Sequence, residues 1–428
     1  MKFSLLTAVP ALLLASSAAL AQQLPAPAPA PAPAPAAAPV DAPVTAAAPA
    51  PAPAPATIDP NAPVATLPPP AEVLPPVVPE LALPTKLGIS KDGFWQPGAT
   101  LQFWVFGANQ GGDTTTTLRI RRAELRLKGE IIPKLFGFNV MIDPARVLDN
   151  NRAAVALPDG TSATVNNQGT VTILQDYFIT FMSDYADVSV GQFKIPVSYE
   201  GYNSASKLIF PERSIVSRHF GDQRDLGIKV DKKLGKSFYY QVAVFNGEGQ
   251  NKLDSNAQKD GTVRLEYYPI DGVTIGAVGY AGLHNRTTTL TTKDRLEADL
   301  KIDMENFLFQ AEYIHGWDGP TNKARQESAG FYAALGYTIA GKVQPLIRIG
   351  AFDSDVRKDL APTGLADRNN TAPLGSTSFL KDEVTTYELG LNYFLRGNDA
   401  KLQASWSKLV FKDQINRGEF ILAAQAAF

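Results

Sequence analysis

Arg295-Leu296-Glu297-Ala298-Asp299-Leu300-Lys301-Ile302-Asp303 alternates without a break. In an extended chain successive side chains point to opposite faces, so the five charged residues share one face and the four aliphatic residues the other. Thr262-Val263-Arg264-Leu265-Glu266-Tyr267-Tyr268 and Asp225-Leu226-Gly227-Ile228-Lys229-Val230-Asp231 repeat the pattern. A soluble sheet turns such charges to water and buries the aliphatics. A sheet in lipid does the reverse, because a charge on the lipid face costs roughly 2–4 kcal/mol near mid-depth. Alternation alone fits both, so the surrounding sequence has to decide.

Outward from these stretches, period-two reading marks sixteen segments from residue 100 onward. They are Thr100–Phe106, Leu118–Glu130, Leu135–Asp143, Thr172–Met182, Asp187–Ile195, Arg224–Asp231, Ser237–Asn246 and Thr262–Tyr268. The second eight are Val273–Leu283, Asp294–Asp303, Phe307–Trp317, Ala329–Ile339, Val343–Asp353, Val384–Leu395, Lys401–Phe411 and Glu419–Phe428. The joints alternate in character. Ile132-Pro133-Lys134, Ser183-Asp184, Lys232–Gly235, Pro269–Gly272, Glu305-Asn306, Ala340-Gly341 and Gly397–Asp399 are short and turn-like. Pro144–Thr170, Pro196–Gln223, Gly247–Asp260 and Ser354–Glu383 are long and polar, and the remaining joints are read as longer too. Short turns on one rim and long loops on the other are the pattern of a transmembrane antiparallel barrel, whose strand number in bacteria is even.

The beginning of the sequence agrees. Lys2, the apolar run Leu5–Leu14 and Ala19-Leu20-Ala21 make a secretory signal peptide, expected over residues 1–21. No later stretch approaches the eighteen apolar residues of a spanning helix. The chain has no cysteine, which closes the route to a lipid anchor and to disulfides. Of its 33 prolines, 21 fall between Pro25 and Pro84. Residues 22–90 are therefore expected to be an Ala/Pro-rich periplasmic linker without a core, extended at about 3.1 Å per residue. It either has no partner or reaches peptidoglycan or an envelope protein. The barrel itself is expected over residues 91–428. The last segment carries Phe420, Leu422, Ala424, Ala426 and Phe428 on its outward set, and a terminal aromatic there resembles the signal read by outer-membrane assembly machinery.

Thr117–Lys128 is the most charged strand. Arg121 and Arg122 are neighbours, yet the charge pattern on either side turns both inward, which calls for a β-bulge. Arg119, Arg121, Arg122, Arg126 and Lys128 then form a column along the lumen, relieved by Glu124. Guanidinium forks suit phosphate and carboxylate, so an anion path is one reading and an internal salt-bridge ladder the other. Lys229 and Arg264 stand on the lumen faces of their own strands. Pro196–Gln223 carries Lys207, Arg213, Arg218 and His219 beside Leu208-Ile209-Phe210 and Ile215-Val216, which need something to pack on. It is expected to fold into the lumen; a cap over the outer mouth is the alternative.

RIRRAELRLKG (Arg119–Gly129), DYFITFMSDYADVSVGQFKIPVSYEGYNSASKLIFPERS (Asp176–Ser214) with its GQFKIP core, and RDLGIKV…YYQVAVFNGEG (from Arg224) resemble the phosphate-selective porin O and P family. The resemblance covers residues 93–428 and not the Ala/Pro stretch. It implies a sixteen-stranded barrel, usually a homotrimer in outer-membrane lipid, with an infolded third loop and an arginine-lined path for small anions. By that resemblance Arg121 and Arg122 match the family's basic strand pair, and the third loop's Lys and Arg fall in its constriction.

Charge gives no independent support for selectivity. Removing Lys2 and Lys86 from the 40 basic residues, and Asp41, Asp59, Glu72 and Glu80 from the 42 acidic ones, leaves 38 of each in the barrel. Lys207 is the one lysine of the third loop, so no lysine cluster is visible there. A weakly selective general diffusion porin, and a barrel serving chiefly to tether the outer membrane to the cell wall, remain in competition. An enzyme is the weakest reading: the histidines are His219, His284 and His315, and no triad, metal spacing or phosphate loop accompanies them. No cofactor or nucleic-acid partner is expected.

Overall fold

The computed structural model of the protein describes residues 86–88, 92–110, 112–149, 153–156, 162–165, 173–286, 289–321, 324–357, 383–412 and 416–428. The signal segment and the linker up to residue 85 lie outside the described residues, as do most of residues 150–172 and 358–382.

Sixteen antiparallel strands close on themselves. They are β1 Phe94–Gln110, β2 Asp113–Ile132, β3 Phe136–Ile142, β4 Leu174–Phe181, β5 Asp187–Lys194, β6 Arg224–Leu234, β7 Phe238–Phe245 and β8 Asp260–Tyr267. The circuit continues through β9 Val273–Arg286, β10 Thr289–Met304, β11 Phe307–Pro320, β12 Gln326–Tyr337, β13 Val343–Asp353, β14 Val384–Arg396, β15 Ala400–Phe411 and β16 Arg417–Ala427. Each pairs with its neighbour in sequence, and β16 pairs with β1 from Arg417↔Gln110 to Ala427↔Thr100. Phe428 extends the seam: its N–H donates to Ala99 O and its carbonyl accepts from Ala99 N, both at 3.0 Å. Closure leaves no edge to hydrogen-bond with lipid, which cannot satisfy one. Leu87 and Gly88 pair with Trp95 and Phe94, so contact with the wall reaches back into the stretch read as linker.

Side-chain exposure assigns the faces. In β10 Leu296 is 57% exposed while Arg295 and Glu297 are 6% and 5%. Val263 and Leu265 are exposed on either side of a fully buried Arg264. The aliphatic set faces outward and the charged set lines the interior, the lipid solution to the alternation. No helix among the described residues is long and apolar enough to cross a membrane.

The bulge falls where the arginine pair requires it. Gln102 pairs with Arg122 and Phe103 with Ile120, leaving Arg121 as the extra residue of β2. The seven short turns stand where expected, and the two-residue turn Ala340-Gly341 has φ of 50° and 68° at its two positions, as a twisted hairpin needs. The opposite rim is less uniform than expected: residues 111–112 and 287–288 are two-residue joints. There the strands themselves run on. β2 has 20 residues, about twice what crossing needs. β1 also starts earlier than expected, because Pro97 and Gly98 sit inside the strand rather than ending it. A Cβ on Gly98 would come within 3.0 Å of Phe428 O, so a glycine suits that seam.

Candidate functional site

The connection from β5 to β6 lies against the inner wall. Two short helices organise it: α1, Tyr199–Tyr202, and α2, Ile215–Phe220. Ser198 caps the first by accepting from Gly201 N, and Ser214 caps the second by accepting from Ser217 N. Ser198 Oγ donates to Ser217 Oγ at 2.8 Å, and the Glu200 carboxylate accepts from Ser214 N at 2.7 Å, so the two turns hold each other.

The apolar residues of this loop find the partners their sequence demanded. Phe210, Ile215, Val216 and Phe220 are buried in one cluster with Phe245, Tyr280, Ile314, Tyr332, Leu346 and Phe352 of the inner wall. Three wall glycines make room. Added Cβ atoms would lie 2.7 Å from the Phe210 ring at Gly390, 2.9 Å from Val216 Cγ2 at Gly330, and 2.8 Å from the Phe220 ring at Gly316.

Polar ties complete the seating. Ser198 N donates to Glu297 (2.6 Å), and Tyr202 OH to Gln241 (2.7 Å). Arg348 donates to the Glu200 carboxylate and to the Glu212 carbonyl, each at 3.0 Å. Lys401 Nζ donates to Ser206 O (3.0 Å), Leu208 O (2.7 Å) and Asn398 Oδ1 (3.1 Å). Asn392 and Gln403 donate to Ile209 O, and Gln425 to Ser206 O. The loop thus spans from its roots at β5 and β6 to β14, β15 and β16 on the other side of the lumen.

At the roots, Asp222 gathers four cations: Lys194 and Arg213 at 3.2 Å, Arg224 at 3.3 Å and Arg146 at 3.5 Å. Burial pushes its carboxyl up, and the four cations outweigh burial and hold it well below the usual range. Lys194 ends β5 and Arg224 begins β6, so this carboxylate pins both ends of the loop. Arg224 also donates to Asp176 at 2.7 Å.

Beside β2 a second carboxylate stands among arginines. Arg121 Nε donates to Glu212 Oε2 at 2.9 Å, and an Arg122 amino group lies 3.7 Å from Glu212 Oε1. Burial pushes the Glu212 carboxyl up, but Arg121, Arg122 and Arg218 hold it far below the carboxylate range. Arg121 also rests over the Trp104 ring, 5.3 Å from its centroid, with Arg119 at 5.8 Å on the same ring.

The remaining basic residues of the sequence reading divide into two groups. Arg126 and Lys128 line a lumen cavity of about 180 Å³ with Glu124, Ser204 and Ser206, between the loop and β1–β3. Lys207 is exposed and lines a larger cavity of about 320 Å³ between the loop and the short-turn rim, with Asn203, Asn392, Asn398 and Lys401. Arg213, Lys229 and Arg264 are instead committed to acids. Lys229 pairs with Asp231 (3.1 Å); Arg264 is held by Glu266 (2.7 Å), Asp299 (3.0 Å) and Glu297 (3.3 Å). Sequence reading did not single out Glu212, Asp222, Arg224, Arg348 or Lys401. The one signal available was the adjacency of Glu212 and Arg213 within an otherwise apolar loop stretch.

Charge is segregated across the lumen. Arg121, Arg122, Arg146, Lys194, Arg213 and Arg224 cluster on the β2–β6 side around Glu212, Asp222, Asp143 and Asp176, while Arg218 faces Glu388 and Glu419 of β14 and β16 as well as Glu212. Glu200, Glu266, Glu297, Asp299 and Glu388 surround Arg264 and Arg348 on the β8–β14 side, with Glu312 beside Glu200. Among the described residues no group of three or more His, Asp or Glu is placed to hold a metal ion.

The family model described as "Phosphate-selective porin O and P" matches residues 103–300. No curated protein matches the sequence. Among solved structures, an anion-selective porin from Comamonas acidovorans superposes with a TM-score of 0.55 at 10% identity, covering 79% of this chain and 100% of its own. The outer-membrane channel DcaP of Acinetobacter baumannii gives 0.54 at 13% identity, covering 79% and 99%. OmpF of Salmonella typhi, solved with daunomycin, gives 0.52 at 10% identity, covering 80% and 100%. At such identities these likenesses speak for the fold alone. With the family match running from β1 into β10 and the wall closed by sixteen strands, this chain has the fold of the outer-membrane porins and is similar in sequence, over residues 103–300, to the phosphate-selective porins O and P.

Proposed function

We propose that the protein is a passive channel preferring small anions, with phosphate or polyphosphate as the natural solute class, and that the β5–β6 loop narrows its path. The observation carrying this reading is the gathering of guanidinium groups where the loop meets β2. Arg121, Arg122 and Arg218 all act on the Glu212 carboxylate, with Glu124 also acting on Arg122 and Glu388 and Glu419 lining the space beside Arg218. Below them Arg126 and Lys128 continue the basic lining with Glu124. Charge-assisted hydrogen bonds from such groups admit an oxyanion, and their spacing along β2 lets it leave stepwise. We read Lys229 and Arg264 as part of the wall's internal ladder, a reading supported by their pairing with acids.

We read the assembly as a homotrimer, as the family resemblance implies, and the Ala/Pro segment, from its composition, as a periplasmic linker. The reversal potential of single channels in a KCl gradient tests selectivity: the anion-directed sign supports the reading, and a cation-directed sign overturns it. A channel that is anion-directed yet whose chloride current phosphate fails to block at millimolar concentration would be a general diffusion porin instead.

A further inference from the structure

We propose that the cavity between the infolded loop and the short-turn rim is a binding site for singly charged organic anions, a carboxylate on an apolar body, held by Lys207. The site adds a solute class to the proposed anion path and rests on that path for the solute's entry.

Three observations carry the proposal. First, the cavity has about 320 Å³, within the size range of small-molecule sites. Second, its charges leave one ammonium group free to bind. Glu200, Lys207, Lys301, Asp303 and Lys401 are the charged side chains that line it. Glu200 is held by Arg348 at 3.0 Å, and Lys301 by Asp303 at 2.8 Å. Lys401 is 1% exposed and spends its three donors on Ser206 O, Leu208 O and Asn398 Oδ1. Lys207 is exposed, and no acid among the described residues pairs with it. Third, the lining beside these charges is partly apolar. Ile209 and Phe394 are half-buried there, and Leu208 and Leu308 complete the apolar part.

Each alternative ligand fails on one of these features. Phosphate would meet Lys207 but leave the apolar lining in contact with water, whereas a hydrocarbon or aromatic body covers it. A second carboxylate on the ligand would face Glu200 and Asp303 with no further ammonium to receive it. A neutral sugar would look to the wall's amides, but both amide hydrogens of Asn392 are taken, by Ile209 O and Gln344 Oε1. The position of Lys207 is also fixed in advance. Lys401 clamps the carbonyls of Ser206 and Leu208, on either side of it, so the main chain is held while the Lys207 side chain stays available. Such preorganisation lowers the cost of binding.

The test uses the full-length protein in planar bilayers at pH 7.5, with benzoate, acetate and inorganic phosphate titrated separately against chloride current. In the wild type, benzoate is expected to block at a concentration about tenfold below that of acetate. Lys207→Gln should weaken the benzoate block about tenfold and the phosphate block by less, and Lys207→Arg, which keeps the charge, should retain both. Phe394→Ala should bring benzoate to the level of acetate while acetate itself is unchanged. Equal block by benzoate and acetate in the wild type overturns the site while leaving the anion path standing. So does a benzoate advantage that survives both Lys207→Gln and Phe394→Ala, or a phosphate block that Lys207→Gln weakens as much as benzoate's. A cation-directed channel in which benzoate still blocks through Lys207 overturns the path and keeps the site.

Discussion

Gly390 of β14 and Phe210 of the infolded loop share one space: a Cβ at position 390 would lie 2.7 Å from the phenylalanine ring. Gly330 and Gly316 stand in the same relation to Val216 and Phe220. The inner wall is thus notched to receive the loop, and the loop's apolar side chains are the matching teeth. Packing of this kind gives way by displacement when a methyl or isobutyl group is forced in.

Gly390→Leu is therefore expected to lift the loop from the wall while the strand ladder stays closed. Single-channel conductance should rise, with the barrel still shifting in electrophoretic mobility on heating as the wild type does. A folded variant of unchanged conductance would show that the seat does not position the loop.

Asp222→Asn should loosen the same loop from its roots. The substitution leaves Arg146, Lys194, Arg213 and Arg224 crowded without their shared carboxylate. Removing one member of a buried ionic cluster costs about 3–5 kcal/mol. Trypsin added to the folded porin should then cleave at Arg213 or Arg218, both buried in the wild type. Continued resistance would argue that packing alone secures the loop.

Arg121→Ala together with Arg122→Ala removes two of the three guanidiniums acting on Glu212. The reversal potential in a KCl gradient should move toward cations, and phosphate should lose its block of chloride current. Lys229→Ala should leave both unchanged, since Lys229 already pairs with Asp231. An effect of Lys229→Ala as large as that of the double variant would relocate the path.

Acidification separates Glu212 from ordinary carboxylates. Its folded pKa lies far below the unfolded value of about 4.3. A depressed carboxylate contributes fully above the unfolded pKa and is lost only as pH falls through the folded one. The difference in selectivity between wild type and Glu212→Gln should therefore persist at about pH 4. Its disappearance between about pH 5 and 4 would mean that the arginines do not hold the charge.

The outward face can be tested with one charge. Leu296→Arg places a guanidinium against lipid and should lower the folding free energy by roughly 2–4 kcal/mol if it lies near mid-depth. Folding into vesicles, titrated with guanidinium chloride, measures it, with Leu296→Phe as a tolerated control.

The wall was legible because each strand announces itself locally. A period of two, a turn such as Ala340-Gly341 and the adjacent Arg121 and Arg122 all act within a few residues, and the sixteen segments and the bulge follow from them. Strand ends were less legible at β1, where Pro97 and Gly98 look like a terminus but meet the last strand across the seam. The pairs that shape the lumen were hidden by distance along the chain. Arg121 and Glu212 are 91 positions apart, and Arg348 and Glu200 are 148 apart. Basic residues on lumen faces could be named from the pattern; whether each meets water or an acid depends on which strands the circuit brings opposite.

The seam between Ala99 and Phe428 joins two strands made far apart in time. β1 leaves the ribosome about three hundred residues before β16, the strand that pairs with it. Until residues 417–428 arrive, β1 has an unsatisfied side, and the shorter chain presents two sticky margins in place of a ring. A chain lacking residues 417–428 would therefore face lipid with backbone groups that lipid cannot satisfy, so β16 decides whether the other fifteen strands can enter the membrane as a ring.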